Sequence, residues 1–251
     1  MLQISDIDVA YGDLPKQILD IHMPTSVDDS SPVLVFLHGG GFKWGDKTQA
    51  LVFAPQYKDA GIIVVSPDYR LGTAFPGFVE DAAKAVAYVH REFTTSDGNP
   101  RPIFVSGWSA GAYIGAKVSY DHRYLEAEGV PRDAIAGFIG LAGPYWGGLC
   151  AGARCEDIFP EGAEADWPIA KFVDAGDPPM LLIQGSRDLY VDIGNLETMA
   201  SAGEAANLPV TTLVVEGSGH RTVLFDMPKP EKAVNAAILS FVEDVSSSKG
   251  K

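Results

Sequence analysis

The sequence predicts an α/β fold: a doubly wound, mostly parallel sheet of eight strands with helices on both faces. Three observations predict it. Six apolar, β-branched runs, at residues 33–37, 62–65, 103–105, 135–141, 180–183 and 213–215, are continuous rather than alternating. Such runs suit strands buried on both faces of a parallel sheet. Helical stretches fall between them, at residues 55–60, 78–93, 110–126, 193–206 and 231–245, and this alternation winds a sheet through right-handed crossovers. Two earlier runs, 6–11 and 18–23, alternate polar and apolar side chains, as a half-exposed opening hairpin does.

The rest of the chain follows from length and local composition. A chain of 251 residues can bury one substantial core, and no compositional break divides it, so residues 1–251 read as a single domain. Residues 143–179 interrupt the rhythm with prolines, glycines and aromatics. A connection that long usually forms part of a binding surface, so it reads as an insertion roofing a pocket. Residues 246–251 read as a frayed tail.

Composition excludes several classes. Hydrophobic residues make up 46% and charged residues 21% of the chain, which is globular rather than disordered. With 33 acidic residues against 19 lysines and arginines, the net charge is −14. That balance argues against nucleic acid or an anionic membrane surface as partner. The N-terminus carries acids without an apolar signal region, and no apolar run approaches the roughly 18 residues of a membrane span. A cytoplasmic location is the default expectation. Cys150 and Cys155 are the only cysteines; free thiols are expected ahead of a small local disulfide. No metal site is expected, because no second Cys or His cluster lies nearby.

The chemistry centres on Gly107-Trp108-Ser109-Ala110-Gly111. A serine hydroxyl is a poor nucleophile unless its geometry is forced. Glycines two before and two after it remove side chains that would block a sharp strand-to-helix turn, leaving Ser109 exposed at the carboxyl edge of the sheet. A serine nucleophile needs a base, and elimination among the five histidines favours His220. His22 sits in an early strand, His90 and His122 read as solvated positions on helices, and His38 precedes three glycines. His220 follows the last strand in a glycine-rich loop able to fold over the sheet edge. Asp188 is the first acid beyond the strand at 180–183 and is favoured as the group orienting the base. Asp192 is the rival, read here as a helix cap. The order Ser109, Asp188, His220 is that of nucleophile-elbow hydrolases. Gly40 and Gly41, in the glycine run directly after the strand at 33–37, are the expected oxyanion donors together with the Ala110 amide. A phosphate-loop reading of the same glycines fails, because no GK[ST] follows and no GxGxxG spacing fits.

Taken together, these residues resemble an α/β-hydrolase of the carboxylesterase group akin to hormone-sensitive lipases. The resemblance rests on His38-Gly39-Gly40-Gly41-Phe42 with Gly45-Asp46, and on Asp68-Tyr69-Arg70-Leu71. Phe75-Pro76, Glu80-Asp81, the elbow, the turn at residues 184–188 and His220 complete it. It implies a serine esterase with Ser109, Asp188 and His220 as triad, and Gly40, Gly41 and Ala110 as oxyanion hole. It also implies that His38 and residues 68–70 support the glycine loop. Two departures stand out: the first strand begins almost at Met1, so no large cap domain is expected, and the segment between Leu71 and Phe75 is short. Cap-less relatives include small feruloyl- or acetyl-ester hydrolases and kynurenine-formamidase-like amidases. The formamidase loop usually carries a bulky aromatic where Gly41 stands, which makes that amidase the alternative. A non-catalytic binding protein on the same fold is a further alternative, although such proteins typically lose the histidine.

Phe42, Trp44, Trp108, Tyr145 and Trp146 are the expected substrate-pocket residues, with Tyr113 equally suited to core packing. The expected partner is a small-molecule ester with a short acyl chain or a small aromatic group, and no cofactor is expected. Monomer and homodimer are both open.

Overall fold

The structure is a computed structural model describing residues 6–149 and 155–249. Eight strands form one sheet: β1 (Asp6–Ala10), β2 (Ile18–His22), β3 (Val33–Leu37), β4 (Ile63–Pro67), β5 (Ile103–Trp108), β6 (Ile135–Leu141), β7 (Met180–Gly185) and β8 (Val210–Val215). Their spatial order is β1-β2-β4-β3-β5-β6-β7-β8. The pairs β1–β2 and β2–β4 are antiparallel and every other pair is parallel.

Period-two alternation in the buried strands splits the core into two layers. Val33, Val35 and Leu37 face α2 (Gly77–Glu92), α3 (Ala110–Tyr120) and α5 (Gly194–Ala205). Leu34 and Phe36 face the opposite layer of α1 (Ala54–Asp59), α6 (Thr222–Phe225) and α7 (Ala233–Lys249). Both faces of the central strands are therefore dry, as their continuous apolar runs require. The remaining helix, α4 (Arg123–Ala127), follows α3.

Four expectations are corrected. The helix expected over 110–126 breaks at Asp121, whose backbone turns extended at φ −97° and ψ 90°. The Asp121 carboxylate there joins the two helices: it accepts bonds from Arg123 Nε (2.8 Å) and Nη2 (2.6 Å) of α4 and pairs with Lys117 Nζ of α3 at 2.7 Å. The strand expected at 213–215 starts at Val210 and is half exposed, because β8 is an edge strand paired only with β7. His122 is no solvated surface residue: its Nε2 lies 2.7 Å from Asp177 Oδ1. Finally, α7 continues through Lys249 into the expected tail, whose residues 250 and 251 lie outside the described residues.

Cys155 is disulfide-bonded, which corrects the expectation of two free thiols; Cys150 lies outside the described residues. No helix among the described residues is long and apolar enough to cross a membrane.

Candidate active site

Four strand ends converge on one edge of the sheet. The chain leaves β5 at Trp108, reverses at Ser109 with φ 56° and ψ −120°, and enters α3 at Ala110. A positive φ at a non-glycine residue is strained and is held only by its surroundings. Those surroundings are tight. A Cβ on Gly107 would lie 2.3 Å from the carbonyl of Gly111, and one on Gly111 would lie 2.0 Å from Leu37 O. The Ser109 amide is tied to Leu141 O at the end of β6 (2.8 Å).

His220 Nε2 lies 2.9 Å from Ser109 Oγ, and His220 Nδ1 lies 2.7 Å from Asp188 Oδ2. Three side chains expected from sequence are thus brought into one line, from the ends of β5, β7 and β8. The other oxygen of Asp188 accepts from the Tyr190 (2.8 Å) and Val191 (3.0 Å) amides. Burial pushes the Asp188 carboxyl upward, but the bonds from His220 and from these two amides outweigh it and hold the group below the usual carboxylate range. An ionised Asp188 accepts a proton-bearing Nδ1, which leaves Nε2 free to accept from the serine. Asp192 is not in this line; its Oδ1 accepts from the Gly194 amide at the first residue of α5. The acid and histidine loops are packed backbone to backbone. Arg187 N donates to Ser218 O (2.9 Å), and a Cβ on Gly185 would lie 2.2 Å from that same oxygen.

The glycine loop follows β3 beside the serine. Gly40 (φ 136°), Gly41 (φ 59°) and Phe42 (φ 64°) all take positive φ. A Cβ on Gly40 would lie 2.0 Å from Trp44 O, so this turn admits only glycine. The Gly39 amide is already used, donating to Gln49 Oε1 at 2.8 Å. The loop is braced from below. Tyr69 Oη donates to His38 O (2.7 Å), the His38 ring stacks on Tyr69 at 4.2 Å, and its Nδ1 lies 3.0 Å from Gly39 O. Burial lowers the His38 pKa, favouring the neutral ring. Asp68 Oδ1 holds the Lys47 amide (2.7 Å) on the far side of the loop.

Gly40, Gly41, Ser109, Ala110 and His220 open onto a cavity of about 580 Å³. Trp44 and Trp108 line it as expected. Phe42 borders it, but its ring is buried against Phe78, Tyr113 and Phe159, at 4.9, 5.6 and 5.2 Å. Tyr113 likewise belongs to the core. Two expectations fail here. Tyr145 is buried against Phe138 and does not line the cavity. Trp146 does not line it either, because Asn195 and Thr198 of α5 hold it away: its amide donates to Asn195 Oδ1 (3.0 Å) and its indole to Thr198 Oγ1 (3.2 Å).

Of the segment 143–179, Pro144 and Leu149 line the cavity, while its later part packs beside α3. There Tyr113 Oη donates to Trp167 O (2.9 Å), and Lys117 Nζ donates to Asp166 O (2.8 Å). Much of the wall comes instead from residues that periodicity does not flag: Gln49, Val52, Tyr190, Arg221, Leu224 and Phe225. The last two lie on α6, a four-residue helix too short to leave a periodic signal.

The strand order, the elbow and the glycine loop have the architecture of the α/β-hydrolase fold. The BD-FAE family model matches residues 19–130, from β2 through the glycine loop and the elbow to just beyond α4. The curated relatives are esterases by name. Isoprenylcysteine alpha-carbonyl methylesterase of Arabidopsis thaliana is 25% identical over 88% of this chain and 57% of its own length. Esterase LipC of Mycobacterium tuberculosis is 26% identical over 97% of this chain and 66% of its own. The chain therefore spans little more than half the length of the plant relative. Among solved structures, a truncated carbohydrate esterase from gut microbiota superposes with a TM-score of 0.79 at 19% identity, covering 98% of this chain and 97% of its own. Esterase 2 of Thermogutta terrifontis gives 0.75 at 19% identity, covering 100% and 96%. These superpositions establish the fold.

Proposed function

We propose that the protein is a serine carboxylesterase, working as one catalytic domain, that hydrolyses short-chain acyl or small aromatic carboxylic esters through an acyl-enzyme. The observation that carries this reading is the unbroken line from Ser109 Oγ to His220 Nε2 (2.9 Å) and from His220 Nδ1 to Asp188 Oδ2 (2.7 Å). In this reading His220 takes the Ser109 proton as the hydroxyl attacks the ester carbonyl. Asp188 fixes the tautomer and offsets the charge of the imidazolium. The developing oxyanion rests on the amides of Gly40, Gly41 and Ala110, the last at the positive end of α3. His220 returns the proton to the departing alcohol, then activates water against the acyl-enzyme, regenerating Ser109.

Cavity size and lining support the substrate class. About 580 Å³ lies within the usual range for small-molecule sites, and the wall is mainly apolar, with Trp44, Trp108, Val52, Leu149, Leu224 and Phe225. The relatives' names also point to esters. The test is a nitrophenyl ester series from acetyl to palmitoyl, with wild type and Ser109→Ala in parallel. The reading expects a maximum at short chains and loss of turnover in the variant. Rates that climb steadily to palmitoyl would refute the substrate class, and substantial turnover by Ser109→Ala would refute the mechanism.

A further inference from the structure

We infer that the cavity selects esters bearing a carboxylate, through Arg221; this rests on the esterase reading above and narrows it. Arg221, Leu224 and Phe225 all line the cavity. They stand at i, i+3 and i+4 across the start of α6, the spacing that puts side chains on one face of a helix. That face therefore sets the Arg221 side chain beside two apolar side chains, immediately after His220.

Three further observations give the guanidinium a ligand rather than a structural task. It is exposed, and no hydrogen bond or ion pair engages it among the described residues; Arg187 is likewise exposed and unengaged, but of the two only Arg221 lines the cavity. Among the described residues, apart from His220, no other ionisable side chain except Tyr190 lines the cavity, and no carboxylate does. The chain has 33 acidic residues against 19 lysines and arginines, so the described wall, without a carboxylate and with an unengaged arginine, runs against the overall charge. Arginine is the side chain whose planar fork matches a carboxylate. An anionic group on either the acyl or the alcohol part of the ester satisfies this chemistry.

The test compares kcat/KM on matched ester pairs. On the acyl side these are 4-nitrophenyl hemiglutarate and neutral 4-nitrophenyl butyrate; on the alcohol side they are 4-acetoxybenzoate and its neutral methyl ester. The readout is the anionic-to-neutral ratio in Arg221→Gln divided by that in wild type, which cancels intrinsic reactivity. Arg91→Gln, on the remote part of α2, makes the same change in net charge. A fall of about tenfold in one pair is expected, the size of one lost charge-assisted hydrogen bond. The affected pair identifies the side of the ester that carries the carboxylate. High salt should shrink the wild-type preference. The inference is overturned if the ratio moves less than twofold in both pairs, or if Arg91→Gln moves it equally. Turnover of the neutral esters separates the two claims: its absence in wild type defeats the esterase reading, whereas its presence with an unmoved ratio defeats only this inference.

Discussion

Trp108 donates its indole N–H to the carbonyl oxygen of His220 at 2.9 Å, so the residue before Ser109 holds the loop carrying His220. The two rings also meet, with centroids 5.0 Å apart. On its other side the indole touches the glycine loop, since a Cβ on Gly39 would lie 2.3 Å from Trp108 Cε3. One side chain therefore touches the Ser109 turn, the His220 loop and the glycine loop together.

Replacing Trp108 with Phe keeps most of the ring and removes the hydrogen bond. A part-buried acceptor left unpaired costs about 1–3 kcal/mol, and here the loss falls on placement of the base. We expect kcat to drop about tenfold with KM little changed, measured on a short-chain nitrophenyl ester. An unchanged kcat would remove Trp108 from any positioning role.

Glycine requirements at the elbow are steric as well as conformational, and two substitutions separate these causes. Gly111→Ala places a methyl group 2.0 Å from Leu37 O, a backbone atom that cannot step aside. A loss of about 3 kcal/mol or more is expected, lowering Tm by roughly 6–12 °C. Gly98→Ala meets nothing within 4 Å and bears only its φ of +80°, so a loss of about 1–2 kcal/mol is expected. Thermal unfolding of the two variants should rank them in that order.

Much of this site is legible in the sequence because its constraints are local. The elbow glycines, the Gly40 turn and the short step from β7 to Asp188 each follow from what a few neighbouring residues can do sterically. The pocket wall is different. Nothing near Tyr145 or Trp146 in the chain says which way their rings turn; Asn195 and Thr198 on α5 decide that for Trp146. Likewise α6 is a single turn, and its contribution exists only because the His220 loop brings it to the cavity. The break at Asp121 belongs to the same class, since periodicity alone continues the helix through it. Strands are most legible where both faces are buried and least at the β8 edge, where threonines interrupt the apolar run.

Asp188→Asn tests the orienting acid. Asparagine preserves the shape but can favour the wrong imidazole tautomer, so kcat should fall by about 10³–10⁴-fold. Stability gives an independent readout. The folded pKa of Asp188 is depressed, through bonds from His220 and the Val191 and Tyr190 amides that outweigh burial. Its stabilisation is therefore complete above the unfolded value near 3.9 and is lost as pH falls through the folded value. Denaturant titrations of wild type and variant should show the wild-type advantage at neutral pH shrinking below about pH 4. A constant difference across that window would contradict the charge state assigned to Asp188.

Activation of Ser109 by His220 is open to intact-protein mass spectrometry after fluorophosphonate treatment. One phosphonyl adduct per chain is expected, mapped to Ser109, absent from Ser109→Ala and strongly slowed in His220→Ala, with both variants folded by circular dichroism. An adduct on another residue, or equal labelling of Ser109→Ala, would contradict it.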